Sequence, residues 1–544
     1  MTRAEEVRLV DVAEGSILVE YPDVPEEVAN RRAVAAARSL ATRPPAGFLD
    51  AVPGARTLLV EFEPRLLLRT RLAEQLRRGF QESESAAESR RVLELPVCYD
   101  TDPEIGPDLA ELASGAGLLP LEFARGHAGA EYRAAFLGFA PGFAYLTGLP
   151  ADLHAPRLST PRIRVPAGSV GIGGAYTGIY PGGTPGGWRL IGRAPARLFD
   201  ALQDPPTLLL PGDRVRFRAI GRLEFERRSR IQQAAAPLAS SRPLGAGRPL
   251  FRVSAPGALT SVQGGPRHGW GMYGVPPGGA MDLEALGSGN ALLGNPRVAA
   301  ALEMTIVGPD LEVLSDAAVV LWGGAILAAV NGRTVATGRV FEIRAGDSLR
   351  IGPLRPTARA YLCVDGGLEQ PLRAQIPRRL AAGDVVSSSG RPARGEGTHR
   401  TGYPARAAGE VVLRVLPGPQ LQRFGSEGRA TFLRSPFRVS AASDRRGVRL
   451  EGLAVANRES PDIPPEGTPL GAIQVPRDGQ PIILGPDRPV TGGYAKIANV
   501  IAADYPLLAR ALPGTVLRFA QVTLTEALAA LSPEFRMPGP ASPE

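Results

Sequence analysis

Of the 62 basic residues in this 544-residue chain, a single one is lysine, Lys496, and all the others are arginine. A phosphate-binding loop of the Gly-Lys-Ser or Gly-Lys-Thr type needs a lysine directly after glycine. Lys496 instead follows Ala495 in Tyr494-Ala495-Lys496-Ile497, so no Walker-type nucleotide loop is encoded. The same scarcity predicts that no biotin is attached to this chain, because attachment needs a lysine on an exposed turn. Cysteine is almost as rare: Cys98 and Cys363 stand far apart in apolar runs, which excludes a disulfide framework and predicts two buried thiols in a reducing compartment. Four scattered histidines, His127, His154, His268 and His399, provide no metal-ligand spacing, and no metal site is expected. No stretch reaches the ~18 uninterrupted apolar residues that cross a bilayer. The first residues, Met-Thr-Arg-Ala-Glu-Glu, carry no apolar signal core, so a cytoplasmic protein without membrane contact is expected. The net charge of +8 is spread as single arginines among acidic residues, not as the basic patch that nucleic acid requires. A Gly-x-Ser-x-Gly nucleophile elbow in a strand-to-helix context is missing as well.

Turn formers, by contrast, are abundant: 65 glycines and 53 prolines point to short strands joined by tight turns, and the length implies three to five folding units. Two strands over 7 to 19, a helix from about Glu26 to Leu40, a strand at Thr57–Phe62 and a helix from about Pro64 to Arg78 predict a small α/β domain over 1–94. Strands dominate afterwards, giving a β-domain over 95–231, an Ala/Ser/Pro/Gly-rich linker at 232–249, a β-rich unit over 250–405, a second β-domain over 406–531, built as barrels or sandwiches, and a disordered tail at 532–544. Asn331-Gly332 is the strongest hairpin signal. The expected class is mainly β with a small N-terminal α/β unit.

Three blocks recur in the same order. Gly168-Ser169-Val170-Gly171-Ile172 matches Gly471-Ala472-Ile473-Gln474-Val475, Gly186-Gly187-Trp188-Arg189-Leu190-Ile191 matches Gly492-Gly493-Tyr494-Ala495-Lys496-Ile497, and Leu210-Pro211-Gly212-Asp213 through Phe217 matches Leu512-Pro513-Gly514-Thr515 through Phe519. Such ordered self-similarity predicts a duplicated β-domain, one copy closing each half.

Several segments carry candidate chemistry. In Phe136 through Leu146, glycine and proline interrupt an aromatic run, so Phe139, Phe143 and Tyr145 either wall an apolar pocket or pack a core. Arg157, Arg162 and Arg164, spaced by prolines that hold the chain extended, present forks suited to carboxylate or phosphate, or else pair with acidic neighbours on the surface. The loop Tyr180 through Trp188 is glycine-rich enough to cradle an anion or simply to turn. In the second half, Arg267, His268, Asp282, Asn290 and Glu303 bring donors, a base and carboxylates, although each singly is more often structural.

With these residues in view, the sequence resembles two known families. Pro96-Val97-Cys98-Tyr99, Gly106-Pro107-Asp108-Leu109, His127, the block at 138–146, Pro156-Arg157 through Ser169 and Gly186-Gly187-Trp188 resemble the family of the 5-oxoprolinase B subunit, also known as allophanate hydrolase subunit 1, which includes a sporulation-kinase inhibitor. Gly274-Val275-Pro276, Met281-Asp282, Leu293-Gly294-Asn295, Asp444-Arg445, Ile473-Gln474-Val475-Pro476 and Gly492-Gly493-Tyr494 resemble the family of the 5-oxoprolinase C subunit, the allophanate hydrolase subunit 2 or carboxyltransferase family. The resemblance covers roughly residues 5 to 225 and 250 to 525. It implies tandem cyclophilin-like β-barrels with a cleft between the halves, and the same pair of domains forms the carboxyltransferase portion of urea carboxylase. Three positions depart from the family pattern: Gln263-Gly264-Gly265-Pro266-Arg267 lacks a usual carboxylate, the loop after Val364-Asp365-Gly366-Gly367 is shortened, and Tyr176 stands where glutamine is common.

The function implied by the resemblance is ATP-driven opening of the 5-oxoproline lactam to glutamate, by fused B and C subunits acting with a separate A-type subunit. ATP, with or without Mg, would be bound with that partner. The expected catalytic groups are His154 and Asp282, and the expected substrate-binding residues are Phe139, Phe143, Tyr145, Arg157, Arg162, Arg164, Ser169, Tyr180, Arg267, Gln474 and Tyr494. Two alternatives stay open: biotin-dependent carboxyl transfer to urea or a related amide, and a non-enzymatic regulator that binds a sensor histidine kinase. A homo-oligomer is compatible with any of them.

Overall fold

A computed structural model describes residues 7–82, 91–235, 247–370, 374–390 and 410–531. Most of the expected linker, the shortened loop at 371–373 and the expected tail lie outside the described residues.

The N-terminal unit is a four-stranded antiparallel sheet in the order Arg8–Ala13, Ser16–Glu20, Thr57–Phe62, Phe48–Pro53. Ala29, Ala33, Ala36, Ala37 and Leu40 recur at helical spacing and put one face of the helix Glu26–Thr42 onto the sheet, while Glu26 and Glu27 sit at its positive N-terminal end. The second helix begins at Arg69 rather than at Pro64. The strand Phe48–Pro53 was not anticipated. Both it and Thr57–Phe62 are buried at every position, because helices cover one face and the second barrel covers the other, where Leu59 and Val52 meet Val490. Doubly buried strands lack the alternation by which sequence reveals a strand.

Each half contains a closed seven-stranded barrel. The first runs Val92–Cys98, Arg214–Ile220, Glu131–Leu137, Ala144–Thr147, Tyr176–Ile179, Ser169–Gly173, Arg189–Arg193 and back. The second runs Val411–Pro417, Val516–Gln521, Phe437–Val439, Gly447–Gly452, Ile482–Leu484, Ala472–Gln474, Lys496–Val500 and back. The two circuits are identical in strand order. In each, the first and last strands pair in parallel, Val92 beside Arg214 and Val411 beside Leu517. A two-stranded ribbon is inserted at the same place in both, Arg162–Val165 with Thr184–Gly186 and Asp462–Gly467 with Thr491–Tyr494. All three repeated sequence blocks fall on corresponding strands, so the duplication is structural.

Between the barrels in sequence lies a sandwich of a six-stranded and a five-stranded sheet. Its core includes Phe251, Leu302, Met304, Leu321, Leu349 and Leu362, and the helix Leu283–Leu292 caps the outer face through Leu286 against Trp322 and Tyr361. Asn331 and Gly332 both take positive φ, 50° and 78°, the conformation of a two-residue hairpin turn. The fold is therefore mainly β, with two barrels in tandem.

Buried polar contacts join these units. The Glu303 side chain, 0% exposed, accepts from Arg445 of the second barrel at 2.5 Å, from Tyr361 at 2.8 Å and from the Met281 amide at 2.7 Å. Arg445 also reaches Asp487 at 2.8 Å and the Gly279 carbonyl at 2.6 Å. Burial is the largest single influence and would raise Glu303, but the Arg445 and Arg359 charges together with the bonds from the Met281 amide and Tyr361 outweigh it and hold the carboxyl below its usual range. Arg488 ties Glu61 of the N-terminal sheet to the second barrel at 2.9 Å, and Asp50 accepts the amides of Gly269 and Gly271, each at 3.0 Å.

Arg445→Met strands Glu303 without its counter-charge, and a loss of about 3–5 kcal/mol of unfolding free energy is expected, with partial recovery when Glu303→Gln is added. Chemical denaturation checks this; an unchanged midpoint in the single variant would refute it. Burial, and next the Glu61 charge, push Asp50 up to about 7 from 3.8. A raised carboxyl pKa favours the folded state at low pH, and that contribution is lost as pH rises through the folded value. Between about pH 4 and 7 the unfolding free energy of the Asp50→Asn protein should therefore fall less steeply with pH than that of the wild type.

Candidate functional site

The aromatic block forms the end of a hairpin. Strand Glu131–Leu137 leaves the barrel wall, reverses over 138–143 and returns as Ala144–Thr147. Phe139 takes the left-handed conformation, φ 62°, which costs a non-glycine residue roughly 1–2 kcal/mol, and bonds Gly138 N to Phe143 O and Phe143 N to Ala140 O hold it, each 3.0 Å. Gly142 donates to the Tyr273 carbonyl of the second half at 3.0 Å. At Gly138 the halves press together. A Cβ there would lie 1.7 Å from Thr491 Oγ1, so only glycine admits the second ribbon.

Phe143 is the hub of the block, with the rings of Phe139, Tyr145, Tyr180 and Trp188 each centred 5.2 Å away. Phe136 stacks on Tyr145 at 4.5 Å. Of the two readings, the core holds for Phe143 and Tyr145, which are buried, and Tyr180 at the start of the glycine-rich loop is buried with them. Phe139 is half-buried. Burial raises Tyr145, opposed by the Arg157 charge and then by Thr491.

The three arginines divide. Arg162 donates to Asp108 at 2.7 Å, and the same carboxylate accepts the Leu190 amide at 2.6 Å; this pair fastens the ribbon to the barrel, so Arg162 is structural rather than substrate-binding. Arg164 is exposed beside Gly183. Arg157 extends to the second ribbon, 3.7 Å from where a Gly493 Cβ would stand, and its charge reaches Tyr145, Tyr176 and Tyr180. Among the described residues no carboxylate pairs with it.

Across the seam lies a group that sequence reasoning passed over. Lys496, 1% exposed, places its ammonium against Glu466, whose Oε1 also accepts Gln420 Nε2 at 2.7 Å, while Gln420 Oε1 takes the Lys496 amide at 3.1 Å. Glu466 belongs to the ribbon and faces Gly492. Gln474 is buried and reaches toward the Tyr494 carbonyl at 3.5 Å, and Tyr494 itself is half-buried. The N-terminal sheet closes the third side, the Ala55 amide donating to Pro465 O at 2.8 Å. Burial raises Glu20, near Glu466 and Lys496, and Tyr176 bonds Glu26. The signal that could have found this pair was the solitary lysine itself, lying in a barrel strand.

Other expected residues are elsewhere. His154 is exposed, its Nε2 3.1 Å from the Leu149 carbonyl, so it lines the turn at 149–154 and not the seam. Ser169 is buried in a barrel strand opposite Arg193. Asp282 caps the helix Leu283–Leu292, accepting Ala285 N at 2.9 Å, and pairs with Arg510 at 2.6 Å; with both oxygens engaged, it is a structural residue and not a free base. Arg267 donates to the Gln375 carbonyl, and burial pushes its pKa down to about 10. Asn290 bonds the Ala299 carbonyl at 2.8 Å. With Glu303 locked to Arg445, the residues Arg267, Asp282, Asn290 and Glu303 of the second half's polar cast serve as a frame within and between units. No group of three or more metal-ligating side chains occurs among the described residues, and no helix among them is long and apolar enough to cross a membrane.

Carboxyltransferase-domain models match the chain twice, subdomains C and D over residues 7–209 and subdomains A and B over 273–521. The 5-oxoprolinase B subunit of Bacillus subtilis (strain 168) is 36% identical over 229 residues, 40% of this chain and 95% of that protein. The 5-oxoprolinase C subunit of Escherichia coli (strain K12) is 32% identical over 292 residues, 52% of this chain and 94% of that protein. The crystal structure of TTHA0988 is similar with a TM-score of 0.77 at 35% identity, covering 95% of this chain and 100% of that one. This chain therefore belongs to the carboxyltransferase-domain family that contains the B and C subunits of 5-oxoprolinase, and it joins the two kinds of subunit in one polypeptide.

Proposed function

We propose that this chain acts as joined B and C subunits in the ATP-dependent opening of 5-oxoproline to glutamate, together with a separate A-type subunit. One observation carries the reading: a single chain spans 95% of one relative, a B subunit, and 94% of another, a C subunit, and the two parts interlock where Thr491 fills the space left by Gly138.

A lactam amide is a poor electrophile, and ATP, bound with the partner, supplies the phosphoryl group that turns the amide oxygen into a leaving group. This chain's own residues bind and orient. Arg157, whose guanidinium faces the seam without a carboxylate partner among the described residues, would hold the substrate carboxylate through a fork of parallel bonds. Exposed Arg164 beside Gly183 offers donors of the kind that phosphate oxygens accept. Lys496 and the ribbon residue Glu466 form a preorganised, buried charge pair, oriented by Gln420. The packed rings beneath Tyr145 keep this side rigid and dry.

A second reading, carboxyl transfer from biotin to urea or a related amide, is supported by the carboxyltransferase models and by the urea amidolyase of Saccharomyces cerevisiae, 28% identical over 301 residues, 49% of this chain and 16% of that protein. The carrier would then be on another chain, since the sole lysine is buried against Glu466.

The test is to mix the purified chain with an A-type subunit and follow glutamate released from 5-oxoproline. ATP-dependent release is expected. No release, combined with transfer of carboxyl from carboxybiotin to urea, would replace the first reading with the second. Arg157→Ala should raise KM for 5-oxoproline about tenfold or more, the loss of a charge-assisted pair, while changing stability by less than about 0.5 kcal/mol.

A further inference from the structure

Away from the barrel seam, a cavity of about 300 Å³ opens where the N-terminal sheet, the sandwich and the second barrel meet. Its walls are largely apolar, with Phe62, Met281, Leu470 and Val500 among them. At about 30 Å³ per water-sized group, it has room for on the order of ten non-hydrogen atoms.

The polar groups around it fall into two sets. Most are already engaged. Glu14 accepts the Ala502 amide at 2.8 Å, Glu61 takes Arg488 at 2.9 Å, and Glu284 takes Arg510 at 2.8 Å. Two are not. Both ring nitrogens of His268 are buried and have no hydrogen-bond partner, which ordinarily costs about 1–3 kcal/mol for each stranded group. Burial, and then the Arg488 charge, lower its pKa to about 4, so the ring is neutral and offers one donor and one acceptor. The second is Arg297. Its guanidinium packs over the helix at Gly287, where a Cβ would lie 3.1 Å from Nε, and among the described residues no carboxylate pairs with it. A half-buried guanidinium and a stranded neutral imidazole around one apolar chamber need a ligand with an anionic fork and a second, uncharged polar group.

We propose that this cavity binds a small organic monocarboxylate carrying an uncharged hydrogen-bonding group, with the carboxylate on Arg297, the second group on His268 and the hydrocarbon part against the apolar walls. The proposal concerns binding by this chain alone, so it is independent of turnover with any partner and of the groove at Arg157.

With four histidines in the sequence, imidazole 15N resonances of the histidine-labelled full chain can be assigned, that of His268 by its loss in His268→Gln. 5-Oxoproline is one probe, and 2-pyrrolidinone, the same ring without the carboxylate, is the other. Expected is a saturable shift of the His268 resonance with 5-oxoproline, at least about tenfold weaker affinity for 2-pyrrolidinone, and a similar loss for 5-oxoproline in Arg297→Gln, whose affinity for 2-pyrrolidinone stays unchanged. Should His268→Gln fail to fold, the resonance is identified instead by its perturbation in Ala503→Met, which narrows the chamber and should abolish the shift. No shift at His268, equal affinity for the two probes, or an unaltered response in Arg297→Gln would each overturn the proposal.

Discussion

Everything in the second half is oriented by one buried carboxylate. Glu303 leaves the sandwich fully enclosed and is satisfied by Arg445, Tyr361 and the Met281 amide. Removing charges of this kind from water costs several kcal/mol per ion, offset only when the geometry is complete. The pair therefore does little for net stability compared with an apolar core of the same volume. What it contributes is selectivity of arrangement, because only one docking of the second barrel on the sandwich brings Arg445 opposite Glu303 and Asp487 together. Arg488 with Glu61 and Asp50 with the amides of Gly269 and Gly271 extend the same logic to the N-terminal sheet.

The duplicated barrels show what changed between two copies of one fold. Strand order and ribbon position are the same, so differences at matched positions stand out against a common frame. Leu190, buried in the first barrel, corresponds to Lys496 in the second. An apolar core position has become a buried ammonium, compensated by Glu466 and oriented by Gln420. In the first copy the ribbon is instead fastened by Arg162 and Asp108. The seam thus combines a rigid aromatic surface from one copy with a ribbon and a charge pair from the other, and Arg157 reaches from the first copy to Gly493 of that ribbon.

Much of the architecture was legible in the sequence, because glycine-rich turns, hairpin signals and ordered repeats are local or self-referential features. The three repeated blocks located equivalent strands of both barrels. The strand Phe48–Pro53 escaped because burial on both faces erases alternation. Site residues were harder to read, since a residue type reports capacity and not partnership. Asp282 looked like a base, yet the helix beginning one residue later and a distant Arg510 consume both its oxygens. Arg157, Arg162 and Arg164 are equivalent in sequence, and only tertiary contact with Asp108 separates one from the others. Phe143 and Tyr145 could have lined a pocket or a core, a choice settled by ring neighbours far along the chain such as Tyr180 and Trp188. Lys496 was conspicuous by its rarity, but its partner lies thirty residues upstream, across a ribbon that sequence does not pair.

The central claim is that the two halves hold each other through the seam at Gly138 and Thr491 and the contacts around it, and not through the segment that joins them. Its most direct test is to express residues 1–235 and 247–544 as separate chains in one cell, purify through a tag on the first, and weigh the product by native mass spectrometry. A one-to-one complex of the halves, lost when Gly138→Val forces a side chain into Thr491, is the result this account requires. Halves that purify apart, or a complex indifferent to Gly138→Val, would contradict it.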